Sequence, residues 1–272
     1  MAKSIDFSAI APAGYLEAFV AQEPARVHHV AAQHVLSDRA YRDFFRREAE
    51  HGAEIIVDNG LFDLGYSLPA ADLVAAAQAV DAREIILPDV MRDGPATIKA
   101  SDEAAREIRE LSDTYRLCVV LHAADDEEWR RCYDAFVTRD YVGAIALPAS
   151  RRPAPEEQLC RTRWTATRYL EDRGLVDETI VYRLLGLGRT GHLELVEQRE
   201  HEWIASVDGA APVILGAMGV EMLPEGPYEK PSTPRIERLG PIQQDRFDLI
   251  RRNIAVVRAA AGSSVQIAEA RA

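Results

Sequence analysis

The feature that most constrains this fold is a repeated alternation of short apolar segments with longer amphipathic ones, at intervals of about 30 residues. The apolar segments are rich in β-branched residues, and the segments between them place apolar residues at helical spacing. The segments with strand character are 26–35 (the weakest), 54–57, 84–87, 117–121, 142–147, 179–187 and 203–207.

Strands and helices in regular alternation indicate a parallel sheet with helices packed outside it. Seven or eight such units in succession favour a closed barrel over an open, doubly wound sheet. We therefore predict an α/β fold, a single (β/α)8 barrel. A Gly-x-Gly-x-x-Gly turn does not follow the first strand, which weakens a dinucleotide-binding interpretation.

The barrel is predicted to span the whole chain, 1–272, as one domain. Segment 221–241 holds five prolines and interrupts the rhythm, so we predict a long surface loop there, after the last strands and over the site. Helical spacing returns at about 245–261, which predicts a final helix.

The composition narrows the class of protein. No apolar run approaches the roughly 20 residues that span a bilayer, and the N-terminus lacks the layout of a secretory signal. The cysteines at 118, 132 and 160 are odd in number and widely spaced, so they suggest neither a disulfide framework nor a structural zinc site. We expect a cytoplasmic protein with no membrane partner, no cofactor and no metal.

The formal net charge of −12 argues against broad contact with nucleic acid, which relies on Lys and Arg to displace counterions. One local exception stands out, an arginine cluster with Trp164 among it. Its members are Arg151, Arg152, Arg161, Arg163 and Arg168. We predict that Arg151, Arg152, Arg161 and Arg163 hold a nucleic-acid backbone. A solvated loop and helix face is an equally good interpretation of such a run.

Polar side chains stand where the predicted strands end. In a barrel of this type the chemistry lies at the C-terminal ends of the strands. The residues that follow the apolar runs there are Asp58, Asp89, His122 and Asp208. Any one of these aspartates could simply form a turn or cap a helix, and Asp93 is the better cap for the helix after Asp89. Together they predict a site on one rim.

This set of residues suits glycosyl transfer to or from a flat base. One carboxylate attacks or stabilises an oxocarbenium-like sugar, and a second transfers a proton to or from the leaving group. A third can accept from the N–H edge of a purine-like ring. An aromatic such as Phe62 offers a face for stacking, and glycines 186 and 188 would let a base approach the backbone.

Four motifs in this order resemble the tRNA-guanine transglycosylase superfamily. "IVDNGLFDLG" resembles its "DSGGFQ"-type motif and "ILPDV" its second aspartate motif, while "RLLGLG" and "ASVDGAAP" resemble its "LMGVG" and "FDxxxPxR" region. The likeness covers roughly residues 50 to 220, at family-like spacing. In its short chain and in the wording of the motifs, the sequence is most similar to the phage enzymes that insert 7-deazaguanines into DNA.

The resemblance implies a (β/α)8 barrel and a division of roles. Asp208 would be the nucleophile that takes C1′ of the sugar, and Asp58 the general acid and base for the departing and incoming bases. The base would be bound by Asp89, Phe62, His122, Leu185 and Gly186, with Phe62 and Leu185 on the two faces of its ring.

Three departures from the family pattern bear on the substrate. Nothing matches the zinc subdomain of the transfer-RNA enzymes, His122 stands where the family has glutamine, and "PVI" at 212–214 replaces "PTR". These differences argue against tRNA more than against the chemistry.

We therefore predict exchange of guanine in DNA for a 7-deazaguanine through a covalent Asp–sugar intermediate. The alternatives are exchange on tRNA or on a small nucleoside or nucleotide, and a non-catalytic deazapurine-binding barrel. An unrelated barrel enzyme such as an aldolase would want a lysine at a strand end, and none ends an apolar run. A homodimer is left open.

Overall fold

A computed structural model describes residues 4–21, 26–149, 159, 163–187, 191–224 and 234–262 of the chain. Its strands form one parallel sheet in the order β1-β8-β7-β6-β5-β4-β3-β2. They are β1 Asp6–Ala9, β2 Val27–Ala31, β3 Glu54–Asp58, β4 Glu84–Ile86, β5 Arg116–Val120, β6 Val142–Pro148, β7 Val181–Leu185 and β8 Ile204–Gly209.

The two end strands of this order, β1 and β2, lie beside each other, which nearly closes the sheet. The backbone N–H of His29 in β2 donates to Ser8 Oγ in β1 at 2.9 Å. Where β1 and β2 meet, a side-chain hydroxyl thus accepts a hydrogen bond from a backbone N–H. The fold is the α/β (β/α)8 barrel that the strand rhythm predicted.

The alternation of apolar and amphipathic segments did not predict strand β1. Its four residues, "DFSA", include only Phe7 as a large apolar side chain, so no strand-like run is visible there. Strand β8 also begins and ends later than the predicted segment 203–207, which places Asp208 inside the strand and not after it.

Helices surround the sheet, and three of the longer ones begin at aspartate caps. The helices are α1 Leu16–Phe19, α2 Ala32–Ser37, α3 Arg39–Glu50, α4 Leu61–Leu64, α5 Ala70–Ala79, α6 Gly94–Leu111, α7 Asp126–Val137, α8 Arg163–Asp172, α9 Leu193–Gln198, α10 Ala211–Ala217 and α11 Phe247–Ala260. Asp38 caps α3, Asp125 caps α7, and Asp93 caps α6 by accepting the N–H of Ala96 at 2.9 Å. The predicted cap at Asp93 is therefore confirmed, and Asp89 has no capping role in α6.

The C-terminal part returns to the barrel. Helix α11 occupies the stretch where a final helix was predicted. Of the proline-rich segment, residues 225–233 lie outside the described ranges. Its described C-terminal end, 234–241, carries Arg235, which donates to the backbone oxygen of Asp63 at 2.7 Å. Among the helices that the structure describes, none is long and apolar enough to cross a membrane.

The barrel interior is apolar in its middle and ionic at its N-terminal end. The inward-facing apolar set is Val27, Ile56, Ile86, Cys118, Val120, Ala144 and Ala146. Below it lies an ion cluster of Glu54, Glu84, Arg116 and Arg183, in which the first three residues each begin a strand. This cluster occupies the end of the barrel opposite the predicted site, where residues serve stability.

Candidate active site

Three carboxylates meet at the C-terminal mouth of the barrel. Asp58 is the last residue of β3, Asp208 lies at the end of β8, and Asp89 follows β4. After burial, which is the largest cause, the negative charges of Asp208 and Asp89 also raise the pKa of Asp58. The three predicted acids therefore lie at the same end of the barrel and influence one another electrostatically.

Asp58 is held by the turn that follows it. Its Oδ1 accepts the N–H of Gly60 at 2.8 Å, and Gly60 has a φ of 83°, a left-handed conformation that favours glycine. This turn starts helix α4, on which Phe62 lies. Burial raises the pKa of Asp58 to about 7, and the hydrogen bond from Gly60 offsets only part of that increase. Asp58 can therefore both give and take a proton near neutral pH.

Asp208 lies in a different electrostatic setting. Its Oδ1 accepts the N–H of Gly186 at 2.8 Å, and Gly186 adopts a φ of 70° to present that N–H. Burial raises the pKa of Asp208 to about 6, while the Gly186 N–H and the positive charge of Arg163 act to lower it. The Gly186 N–H and Arg163 thus favour the ionised form of Asp208, whereas the negative charges around Asp58 favour its protonated form.

Asp89 belongs to a small hydrogen-bonded group. Asn59 Nδ2 donates to Asp89 Oδ1 at 2.7 Å and to the backbone oxygen of Leu87 at 2.7 Å. His122 Nε2 lies 2.7 Å from Asp89 Oδ2. The structure thus brings the predicted Asp89 and His122 together, through a carboxylate that is almost fully buried. Asn59, in the turn that follows β3, thus fixes the orientation of Asp89.

Phe62 and Leu185 lie on different sides of the mouth. The Phe62 ring is 39% exposed, and the guanidinium carbon of Arg235 lies 5.8 Å from its centre. Leu185 is the last residue of β7 and packs at the edge of the apolar barrel interior. The described end of the proline-rich loop therefore contacts the aromatic that was predicted to stack on a base.

Arg163 does not face solvent, which corrects its predicted contact with nucleic acid. Its guanidinium pairs with Glu194 through two hydrogen bonds, at 2.8 and 2.7 Å. Its Nη1 also donates to the backbone oxygens of Leu185 and Gly186, at 3.0 and 2.8 Å. Arg163 is 5% exposed, so it fixes the end of β7 beside Asp208 and is not available to a phosphate. Arg151, Arg152 and Arg161 lie outside the described residues.

His29 is a neighbour of Asp208 that the sequence did not single out. Its Nδ1 lies 4.0 Å from Asp208 Oδ1, and the side chain is buried. Its spacing from Val27 and Ala31 places His29 on the same strand face as these two residues. The predicted strand there is the least regular one, so the sequence offered only a weak indication that His29 belongs to the site.

Replacing Asp58 with Asn is expected to stabilise the fold in a pH-dependent way. Between pH of about 4 and 7 the native Asp58 keeps a proton that the unfolded chain has released, because the native pKa is about 7 and the ordinary value is 3.8. The wild type therefore loses free energy of unfolding over this range, and the variant does not share that loss. Melting temperatures should show a gain for Asp58→Asn that grows from pH 4 to pH 7 and then levels off. A gain independent of pH, or one also seen in Asp113→Asn on the surface, would contradict the assignment.

Comparisons with known proteins bear on the fold. The chain matches no known protein-family model and no curated protein sequence. Among solved structures it is similar to the YdjI aldolase from Escherichia coli K12, with 12% identity and a TM-score of 0.51 over 96% of this chain and 89% of that one. Phosphoribosyl anthranilate isomerase from Thermococcus kodakaraensis is 13% identical, with a TM-score of 0.44 over 94% and 99% of the two chains. At such identity the first likeness shows the barrel fold alone.

Proposed function

We propose that this chain is an enzyme that exchanges guanine for a 7-deazaguanine base, with DNA as the first candidate acceptor. The observation that carries the proposal is the pair Asp58 and Asp208 at one barrel mouth, where burial raises the pKa of both and Gly186 and Arg163 act to lower that of Asp208 alone. Two carboxylates whose environments separate their protons are what acid–base and nucleophilic roles at one sugar need. The four motifs found in the sequence support the same assignment.

The proposed reaction has two displacements. In the first, the Asp208 carboxylate bonds to C1′ of the nucleotide, the bond from C1′ to the guanine nitrogen breaks, and its electron pair leaves with the base. The Asp58 proton neutralises that base. In the second, Asp58 takes the N–H proton of the incoming 7-deazaguanine, whose nitrogen bonds to C1′ and displaces Asp208. The net exchange consumes no oxidant and no other reactant.

The base would be bound beside the group formed by Asp89, Asn59 and His122. Asp89 Oδ1 accepts a hydrogen bond from Asn59 Nδ2 at 2.7 Å, and His122 Nε2 lies 2.7 Å from Asp89 Oδ2. Each carboxylate oxygen can accept a second one, so two donors on the edge of a guanine-like ring fit the remaining capacity. Phe62 and Leu185 would lie on the two faces of the ring.

A free nucleoside or nucleotide is the second candidate acceptor. The net charge of −12 and the burial of Arg163 both reduce the positive surface available to a nucleic-acid backbone. DNA would also require the nucleotide to be flipped out of its stack, at a cost of a few kcal/mol. An aldolase acting through a Schiff base is disfavoured, because in the described ranges lysine occurs only at Lys99, on α6 and beside Glu103.

The proposal is tested by incubating the protein with a 7-deazaguanine and, in parallel, duplex DNA, single-stranded DNA, tRNA and guanosine. We expect the DNA to change mass by the difference between the two bases, with release of free guanine in equal amount. A change in guanosine alone would establish the second candidate. Binding of the base with no change in any acceptor would support a deazapurine-binding barrel and contradict an enzyme of this kind.

A further inference from the structure

The barrel register places His29 beside the Asp208 carboxylate. Asp208 pairs with Ser8 in β1, and the Ser8 hydroxyl accepts the backbone N–H of His29 in β2. Ser8 is small and buried between the other two residues, so the imidazole and the carboxylate approach each other across it. The distance from His29 Nδ1 to Asp208 Oδ1 is 4.0 Å.

We propose that His29 is a positioning residue whose neutral imidazole donates its Nδ1–H to Oδ1 of Asp208. The inference rests on the proposed function, in which Asp208 is the nucleophile. A separation of 4.0 Å is longer than a hydrogen bond. Catalytic hydrogen bonds are often long in the unliganded enzyme and shorten when substrate is bound.

The groups around His29 keep it uncharged. Asp208 lies 4.0 Å away, and the groups whose charges shift the pKa of His29 are Arg183, Glu84, Glu54 and His28. Burial is the largest influence and Arg183 the next, and together they lower the pKa of His29 to about 3 in spite of the two glutamates. The imidazole is therefore neutral across the physiological range and carries one N–H.

The proton of that neutral ring belongs on Nδ1. Placed on Nε2, it would aim the lone pair of Nδ1 at the Asp208 carboxylate, which is repulsive. It would also leave a buried donor unsatisfied, because Nε2 has no hydrogen-bond partner among the residues that the structure describes. Placed on Nδ1, it faces the negative oxygen. The arrangement of the two side chains thus selects one tautomer.

A neutral donor at this position suits the proposed reaction. The N–H of Gly186 holds Asp208 Oδ1 at 2.8 Å, and His29 would hold the same oxygen from the β2 side. Oδ2 is then the oxygen presented to C1′. A cation in the same place would repel the positive charge that develops on the sugar, whereas a neutral N–H orients the carboxylate without that penalty.

The wild-type protein itself provides the first test. In ¹⁵N spectra that resolve the imidazole nitrogens of His29, we expect the proton on Nδ1 at pH 7. A proton on Nε2 would overturn the proposal. This measurement requires no activity and no variant, so it stands even if base exchange is not found.

The second test compares two variants of nearly equal shape. Asn in place of His29 can present an N–H where Nδ1 stood, whereas Leu cannot. We expect His29→Leu to make Asp208 bind its proton roughly tenfold more tightly, as loss of one hydrogen bond to a carboxylate implies. The pKa of Asp208 should rise in ¹³C spectra, and the acid limb of the exchange rate should move to higher pH.

His29→Asn is expected to keep both properties close to those of the wild type. Equal pKa values for Asp208 in the Leu variant and the wild type would overturn the proposal. If Asp208 is not the nucleophile, the exchange profile will not follow its pKa, yet the spectra still decide whether His29 donates to it. Failure of this inference and failure of the proposed function are therefore separable.

Discussion

Asp208→Asn is expected to abolish base exchange, with a loss of roughly 10⁴-fold or more, as removal of a nucleophile causes in other enzymes. The amide cannot form the bond to C1′, because its oxygen carries no charge. Its oxygen can still accept the N–H of Gly186, which donates to Asp208 at 2.8 Å in the wild type, so the end of β7 should keep its place. The measurement is the initial rate of mass change in the acceptor identified for the wild type.

The same variant is expected to be more stable than the wild type above pH 6. Burial raises the pKa of Asp208 to about 6, so its ionisation opposes folding, and an amide avoids this cost. Loss of exchange together with a higher melting temperature would separate a chemical role from a structural one. Asp113→Asn, on the surface, is the matched control and should keep its activity. Exchange retained by Asp208→Asn would contradict the nucleophile assignment.

Arg183→Met is expected to reduce the free energy of unfolding by about 3–5 kcal/mol, the cost of leaving a buried ion without its partner. Arg183 donates to both oxygens of the fully buried Glu84 at 2.7 Å, to Glu54 at 2.6 Å and to Ser206 at 2.8 Å. After the substitution, Glu84 would retain Arg116 at 3.1 Å as its basic partner. Urea denaturation followed by circular dichroism measures the difference.

A surface ion pair gives the matched control for Arg183. Arg109 pairs with the exposed Asp140 at 3.2 Å, and Arg109→Met should change the free energy of unfolding by no more than about 1 kcal/mol. Changing Glu84 to Gln as well should restore part of the stability lost in Arg183→Met, because Arg116 is then left with one carboxylate to neutralise and not two. Equal effects of the Arg183 and Arg109 substitutions would show that the ion cluster does not hold the barrel.

The alternation of strands and helices was sufficient to predict the barrel, because seven of the eight strands contain an apolar run long enough to recognise. Strand β1 was not predicted, because it lacks such a run. It is four residues long, and its contact with β2 includes a hydrogen bond to the hydroxyl of Ser8. A contact of this kind cannot be predicted from a pattern of apolar residues. The aspartates at strand ends were visible because an acid directly after an apolar run is conspicuous.

The partners of those acids were not predictable from the sequence. Asn59 is 30 residues from Asp89 along the chain, and His29 and Asp208 are brought together by the register of β1 between their strands. For Arg163, the number of arginines nearby in the sequence did not predict whether the side chain is exposed. Its position in an arginine-rich segment suggested a surface, whereas Glu194 and three backbone oxygens hold it inside. Such contacts depend on distances between strands and helices that only the folded chain defines.

The central claim is that Asp208 carries the sugar during exchange, and the most direct measurement is the mass of the protein quenched in acid during turnover. We expect a fraction of the chains to be heavier by the mass of the acceptor without its guanine, with the added mass on the peptide that contains Asp208. The adduct should be absent from Asp208→Asn. Exchange that proceeds with no adduct, or an adduct on another residue, would contradict the account.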